Sequence, residues 1–348
     1  MAKKAVLLAN LGSPDSTEVK DVRTYLNEFL MDERVIDIPY LVRVLLVRGI
    51  IVPFRASKSA AKYKTIWTDH GSPLIYISRQ VQQKLADVMQ LPVELCMRYA
   101  NPTSAFALDK LQKENPDLEE VVLVPLYPHY AMSSYETAVE HVKQIHKKGA
   151  YPFALKTVPP FYNHPGFIDS LANSIKPHLV KEFDHLLFSY HGIPKRHVLK
   201  TDCTKSHCFS SENCCSTPSE AHHVCYRHQV RVTTRLVAEK LGLPKEKFSF
   251  SFQSRLGADA WLQPYSVEQF EKFPPQGIKK LVVVCPAFVS DCLETLEEIQ
   301  VEGREDFMKY GGEEFTVIPC LNEREDWIKT VECLVNEQLQ RHVQAGIL

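Results

Sequence analysis

Short apolar runs rich in Val, Leu and Phe recur along the chain, and they alternate with longer segments whose apolar positions have helical spacing. Strands that are apolar on both faces are typical of parallel sheets covered by helices on both sides. The pattern therefore predicts an α/β protein. The predicted strands are residues 4–11, 93–99, 120–125, 153–158, 185–190, 248–253, 281–285 and 315–319.

The order of these elements repeats once. The segment LLFSYHGIP at residues 186–194 echoes LLANLGSP at residues 7–14, and the three later strands of each half correspond in order. We therefore predict two similar doubly wound halves, residues 1–182 and 183–348, each with a four-stranded parallel sheet flanked by helices. Ligands of such sheets bind at the carboxyl ends of the strands, so a cleft between the halves is the expected site.

Three carboxylates follow the predicted strand at residues 281–285. Asp291, Glu294 and Glu298 have the spacing i, i+3 and i+7, which predicts that they line one face of an α-helix. One interpretation is a solvated acidic turn that complements the helix dipole. The other interpretation is a cation or proton-relay site at the end of a buried strand.

His191 directly follows another buried strand, and Gly192 allows the backbone there to approach a neighbour closely. An imidazole in this position can act as a base, a metal ligand or a structural hydrogen-bonding group. Opposite an acidic helix it forms a histidine–carboxylate pair, which suits a divalent metal or the removal of a proton.

Composition limits the classes of partner. The chain has 348 residues and a formal net charge of −1, which gives no general attraction to nucleic acid. No glycine-rich phosphate loop follows a predicted strand, which argues against a nucleotide cofactor. The N-terminal residues lack the pattern of an export signal, so we expect a cytoplasmic protein whose ten cysteines are mostly reduced. The apolar segment 41–54 is too short to span a bilayer, but it can lie against a membrane or an apolar ligand.

Eight segments, in order along the chain, closely resemble the ferrochelatases of haem synthesis: LLANLGSPDS, YLNEFLMDERVIDIP, GSPL, MRYANP, PLYPHYAMSS, FSYHGIP, FQSRLG and CPAFVSDCLETLEEI. The resemblance extends from about residue 5 to about residue 325. It implies the chelatase fold and a lyase that inserts Fe²⁺ into protoporphyrin IX with release of two protons, the last step of haem synthesis. The implied partners are a porphyrin and ferrous iron.

The resemblance also implies site residues. The histidine and glutamate to which the family's metal binding and proton abstraction are ascribed correspond to His191 and Glu294, and Asp291 and Glu298 would extend them as an acidic track. Family members often have histidine where this chain has Cys292, which leaves the inner metal route open. The residues implied to bind the porphyrin are Arg55, Tyr63 and Ser72 near its propionates, Arg98 deeper in the cleft, and Ile36 with the apolar segment 41–54, which we call the lip.

Half of the cysteines fall between residues 203 and 225. A thiol patch in a reducing compartment usually binds metal, although this spacing matches neither zinc-finger pairs nor ferredoxin runs. Some related ferrochelatases carry a [2Fe–2S] cluster on internal cysteines. The resemblance implies Cys208, Cys214, Cys215 and Cys225 as the ligands of such a cluster, and Cys203 is a spare ligand. The alternatives are a zinc site or no metal at all. Chelation does not require a redox step, so we expect stability or sensing as the role of such a cluster.

The sequence also fits functions other than iron insertion into protoporphyrin. The same fold suits a coproporphyrin or cobalt chelatase, and a two-lobed carrier would bind porphyrin or metal without catalysis. A carrier needs the porphyrin slot but does not need His191 and Glu294 to face each other. A monomer and a homodimer fit the sequence equally well, and the lip leaves peripheral membrane contact open.

Overall fold

The computed structural model describes residues 2–255 and 259–345. Packing groups the chain into two compact units, which are interleaved in sequence. The first contains Met1–Leu126, Met132–Pro159 and Glu323–Leu348, and the second contains Tyr127–Ala131 and Pro160–Asn322. The boundary predicted after residue 182 stays a prediction.

Each unit contains one four-stranded parallel sheet. In the first unit, β1 (Lys4–Asn10), β2 (Val93–Met97), β3 (Glu120–Pro125) and β4 (Ala154–Thr157) lie in the order β2-β1-β3-β4. In the second, β5 (His185–His191), β6 (Phe248–Gln253), β7 (Lys280–Val284) and β8 (Glu314–Val317) lie in the order β6-β5-β7-β8. The predicted repeat and fold class are therefore confirmed.

The two central strands explain why the sequence shows continuous apolar runs rather than alternation. In β1, Val6 pairs with Val93 on one side and with Val122 on the other. In β5, Leu187 lies in register with Val283 of β7. These side chains are buried. Helices cover both faces of each sheet, so the side chains that point to either face are removed from water.

Helices connect the strands and cover the sheets. The π turn Val47–Ile51 joins the helices Tyr40–Leu46 and Val52–Ile66 into one run. A proline inside a helix removes a hydrogen bond, and Pro53 lies just after this widened turn. The helices are α1 (Val19–Leu30), α2 (Tyr40–Leu46), α3 (Val52–Ile66), α4 (Pro73–Met89), α5 (Ser104–Glu114), α6 (Thr137–Gly149), α7 (Pro165–Ile175), α8 (Lys195–Thr201), α9 (Tyr226–Leu241), α10 (Ser266–Lys272), α11 (Arg304–Lys309) and α12 (Glu325–Ala345).

Two strand ends require glycine. Gly12 has a φ of +108°, and a Cβ there would lie 1.9 Å from the carbonyl oxygen of Tyr99. A Cβ on Gly192 would lie 2.8 Å from the carbonyl oxygen of Gln253, and the same oxygen accepts the Gly192 N–H at 2.8 Å. The segment FQSRLG, which resembles the family, continues past Arg255, and its last two residues lie outside the described residues.

The core of the second unit lies between its sheet and α10 and α11. Phe307 is fully buried there, with its ring centroid 5.5 Å from that of Phe315 and with Leu187 and Val283 in the same cluster. This core fixes the sheet that carries His191.

We expect Phe307→Ala to lower the free energy of unfolding by about 3–5 kcal/mol, because it leaves a cavity that the packed sheet cannot fill. Urea unfolding monitored by circular dichroism measures the change. The control is Val267→Ala on α10, where Val267 is half exposed, and it should change the free energy by less than about 0.5 kcal/mol. Equal effects of the two substitutions would contradict the assignment of this core.

Candidate active site and cysteine cluster

His191 is the last residue of β5 and is half-buried. Its ring packs edge-on against Phe288 at 6.2 Å, and its Nδ1 lies 2.7 Å from the carbonyl oxygen of Gly192. A carbonyl oxygen can only accept, so this contact assigns the proton of the neutral ring to Nδ1. Nε2 then carries the lone pair that a base or a metal ligand needs.

Gln253 connects the strand of His191 with the acidic segment. It pairs in register with His191, and its side-chain oxygen accepts the Ser189 hydroxyl at 2.6 Å. Its side-chain amide donates to the backbone oxygen of Glu294 at 3.4 Å. This buried glutamine therefore ties both predicted catalytic residues to the carboxyl edge of one sheet.

The acidic segment does not form the α-helical face that the spacing predicted. Glu294–Gly303 is a π-helix, in which hydrogen bonds run from i to i+5 and the turn is wider. Glu294 and Glu298 both lie on it and are half-buried. Glu298 accepts a short hydrogen bond from the Ser254 hydroxyl.

Asp291 lies before this helix and is buried by its own partners. Its carboxylate accepts the Thr295 hydroxyl at 2.9 Å, the Asn322 amide at 2.7 Å and the Cys320 N–H at 3.3 Å. The prediction that Asp291 shares one helix face with Glu294 and Glu298 is wrong, because Asp291 precedes the helix. Its hydrogen bonds instead join the start of the π-helix to the segment after β8.

Three of the residues predicted to bind porphyrin lie around α3 and the start of α4. Arg55 is exposed on α3, whereas Tyr63 on the same helix is buried with its ring edge-on to those of Tyr25 and Trp67. Ser72 precedes α4 and is also buried. It lines a cavity of about 730 Å³ that has Trp67 among its walls.

Arg98 is held by a buried ion pair that the sequence did not reveal. Its guanidinium contacts the carboxylate of Asp32 and donates to the Thr137 hydroxyl at 2.8 Å, while the Tyr99 hydroxyl donates to Asp32 at 2.9 Å. Burial acts to raise the pKa of Asp32, but hydrogen bonds from Thr137 and the Arg34 backbone, together with the charge of Arg98, hold it below its usual range. Arg98 is therefore engaged within its own unit.

The lip exposes large apolar side chains. Leu41, Leu45 and Phe54 are 74%, 73% and 76% exposed. Arg43 turns inward instead, and its guanidinium donates to the backbone oxygen of Ile36 at 3.0 Å. Among the helices of the described residues, none is long and apolar enough to cross a bilayer.

Four of the five clustered cysteines are buried together. The Cys225 thiol lies near enough to Cys208 and Cys215 to shift the pKa of both, and Cys214 also acts on the pKa of Cys208. Burial raises the pKa of the Cys208 thiol to about 11. Cys203 is exposed. The ligand set of Cys208, Cys214, Cys215 and Cys225 stays a prediction.

Donors surround these sulfurs. The Arg227 guanidinium donates to Cys214 Sγ at 3.4 Å, and the backbone N–H of His228 donates to Cys225 Sγ at 3.4 Å. The Asp202 carboxylate accepts the Cys208 N–H at 2.8 Å and so orders the loop. N–H donors and a guanidinium of this kind stabilise negative charge on a neighbouring sulfur.

Comparisons with known proteins agree over the whole length. A profile of the ferrochelatase family matches residues 3–339. A ferrochelatase from Opitutus terrae is 49% identical over 343 residues, which cover 98% of this chain and 99% of the relative. Ferrochelatases of Pseudomonas fluorescens Pf0-1 and Porphyromonas gingivalis are 46% and 45% identical, with 96% and 97% of this chain and 98% and 96% of the relatives covered.

The chain belongs to the ferrochelatase family. Solved structures agree on the fold alone. SirB from Bacillus subtilis with Fe³⁺ matches with a TM-score of 0.54 at 11% identity, covering 99% of this chain and 98% of SirB. DR2241 from Deinococcus radiodurans, a multi-domain protein with structural similarity to chelatases, matches with a TM-score of 0.52 at 11% identity, covering 97% and 56% of the two chains.

Cys292 lies two residues before Glu294. Its thiol is buried, and burial together with the neighbouring Glu294 carboxylate holds its pKa well above the usual range. A neutral thiol is a poor ligand for a borderline cation. Cys292 therefore stays protonated next to Glu294, as a packing group and a weak donor.

The residues that sequence reasoning missed share one weak signal. Gln253 and Asp32 are polar groups inside or next to apolar runs, within segments that resemble the family, and Tyr226 directly follows the last cysteine of the cluster. Such residues are mostly structural, and only the fold shows which backbone oxygen or carboxylate each one meets.

His129 belongs to an aromatic cluster in the second unit, together with Tyr162, Phe167, Tyr190 and Tyr226. Thr233 donates to the Tyr162 backbone oxygen at 2.7 Å, so His129 Nε2 donates to Thr233 at 2.9 Å. No described residue gives Nδ1 a hydrogen bond. Burial lowers the pKa of His129 to about 3.

We expect this histidine to make folding acid-sensitive. Below about pH 6.5 the unfolded chain protonates His129 and the folded chain does not, so stability falls towards pH 3 by about 1.4 kcal/mol per pH unit. His129→Gln cannot titrate, and it should lose correspondingly less stability between pH 6.5 and pH 4.5 in urea unfolding. His178→Gln, on a surface turn, is the control. If the free energy of unfolding fell with pH equally in wild type and His129→Gln, His129 would not be the source of the acid sensitivity.

Proposed function

We propose that this chain is a porphyrin ferrochelatase, a lyase that inserts Fe²⁺ into protoporphyrin IX and releases two protons to give protohaem. Family membership over nearly the whole chain is the observation that carries the proposal. The geometry supports it, because His191 and Glu294 are tied to the same buried residue at the carboxyl edge of one sheet. Coproporphyrin or cobalt as substrates, and a carrier role, are less favoured.

In this proposal His191 accepts a pyrrole proton or ligates the incoming iron through Nε2. Glu294 supplies the carboxylate that binds the cation or takes the second proton. Glu298, which already accepts from Ser254, continues the acidic track along the π-helix. Asp291 belongs to this track only through its position in sequence, since hydrogen bonds occupy its carboxylate. The two protons lost by the porphyrin balance the two positive charges of the iron.

The porphyrin would be held by residues of the first unit. Arg55 is exposed and has the fork of donors that suits a propionate, with Tyr63 and Ser72 nearby in sequence. Arg98 acts as a positioning residue, because Asp32 already neutralises its charge. Ile36 and the exposed lip provide an apolar surface for the macrocycle. The same surface fits peripheral contact with a membrane by a cytoplasmic protein, either as a monomer or as a homodimer.

The cysteine cluster fits a resident [2Fe–2S] group. Cys208, Cys214, Cys215 and Cys225 would hold it, and Arg227 would offset part of its negative charge. When bound, such a group supplies a cross-link between four points of the chain and a one-electron redox centre. Zinc on the same thiolates is the second candidate, because four cysteines also suit a structural zinc site.

We expect His191→Ala to lower the rate of iron insertion by at least about 100-fold, since a positioned base is typically worth that much. The assay follows haem formation by absorbance under anaerobic conditions, with protoporphyrin and Fe²⁺. Porphyrin affinity, measured by fluorescence, should change less than about threefold because the slot remains.

His178→Ala is the matched control and should keep the wild-type rate. Full insertion by His191→Ala would reject its catalytic role. Wild-type turnover only with Co²⁺ or coproporphyrin would correct the substrate, and porphyrin binding without insertion of any metal would indicate a carrier.

We expect Cys208→Ser to lose the iron, the labile sulfide and the visible absorption bands of the purified protein. Cys203→Ser should keep all three, because this thiol is exposed and lies outside the buried group. Zinc without visible bands, lost only in Cys208→Ser, would assign zinc instead. Equal metal content in both variants would contradict the ligand set.

A further inference from the structure

The cysteine cluster and His191 are connected by two consecutive residues. Cys225 is the N-cap of α9, and its thiol accepts the N–H of His228 at 3.4 Å. Tyr226 is the first residue of α9, and its hydroxyl donates to the backbone oxygen of His191 at 2.9 Å. A predicted metal ligand is therefore adjacent in sequence to the side chain that holds the backbone of the predicted base.

The segment that carries the cysteines has little regular structure of its own. Between α8 and α9 its helical content is two short 3₁₀ turns, Cys214–Ser216 and Glu220–His223. Its order comes from side chains instead. His207 and His222 both contact the carbonyl oxygen of Cys214, at 2.7 Å and 3.2 Å. A segment with so little regular structure depends on cross-links, so metal binding at four points would decide how firmly the start of α9 is held.

The two helices that flank this segment both begin near His191. At one end, α8 begins at Lys195, four residues after His191. At the other end, Tyr226 is buried, and its ring lies 5.9 Å from that of His129 and 6.4 Å from that of Phe252. The packed ring cannot turn independently of α9, so a displacement at Cys225 reaches the His191 carbonyl directly.

We propose that Tyr226 is a positioning residue that couples the metal-bound state of the cysteine cluster to the backbone at His191. The inference rests on the roles proposed above for His191 and for the four cysteines. It gives the cluster a function that requires no electron transfer: the bound metal tightens the catalytic edge of the sheet, and its loss loosens that edge.

A second tyrosine between the same two elements provides the control. Tyr190 precedes His191 in β5, and its hydroxyl contacts the Thr234 hydroxyl at 2.8 Å. Thr234 lies about two helical turns further along α9 than Tyr226. Tyr190→Phe removes a buried hydroxyl contact between β5 and α9 without touching the His191 carbonyl.

The test is hydrogen exchange by mass spectrometry on the full-length protein, purified anaerobically, with its iron, sulfide and zinc contents measured. The reporter is the Gly192 amide, which donates to Gln253. Removing the metal with EDTA and dithionite should speed its exchange about tenfold. Tyr226→Phe should show the same increase with the metal still bound, and removing its metal should then add less than twofold. Tyr190→Phe should behave as wild type, and the amides of β7 should stay protected throughout.

Unchanged exchange at Gly192 on metal removal overturns the inference, and so does a full tenfold response to metal removal in Tyr226→Phe. A wild-type protein whose cysteines hold no metal also overturns it. The comparison of wild type with and without metal needs no substitution, so the test stands even if Tyr226→Phe folds poorly. Iron insertion is measured separately. If exchange at Gly192 responds to the metal but no iron is inserted, only the proposed activity is rejected. If iron is inserted but exchange at Gly192 does not respond to the metal, only this inference is rejected.

Discussion

The second unit depends on one buried glutamine. Gln253 ends β6, its backbone oxygen accepts the Gly192 N–H, and its side chain connects Ser189 in β5 with the backbone of Glu294. A buried amide that lost any of these partners would leave polar groups unpaired, which costs about 1–3 kcal/mol each. This constraint fixes the distance between the strand that carries His191 and the helix that carries Glu294, and it explains why only glycine fits after the histidine.

The π-helix is the second consequence of this arrangement. Wider turns place Glu294 and Glu298 on a helix that begins beside β6, where Ser254 is already bonded to Glu298. Asp291 stabilises the start of the same helix rather than adding a third open carboxylate. Glu294 and Glu298 therefore remain as candidate carboxylates for a cation, whereas the sequence suggested three. Two carboxylates repel each other less than a row of three would.

Different interactions stabilise the sheet of the second unit and the cysteine segment between α8 and α9. The sheet is held by apolar burial around Phe307 and Leu187, whereas the cysteine segment is held by hydrogen bonds and by thiols that are close to one another. Apolar cores are insensitive to metal supply and redox state, and thiol clusters respond to both. Placing such a segment between α8 and α9 puts a responsive element directly beside a rigid one, with Tyr226 at the junction.

The sequence by itself determined the eight strands, the twofold repeat and the family, because continuous apolar runs and strand-end motifs are local patterns. It also selected the four cysteines and the pair His191 and Glu294 as candidates. Tertiary structure alone decided that Asp291 is bonded internally, that Asp32 neutralises Arg98 and that Tyr226 holds the His191 carbonyl. Each of these partners is distant in sequence or depends on helix type, and hydrogen-bond partners across such distances are set by packing rather than by spacing.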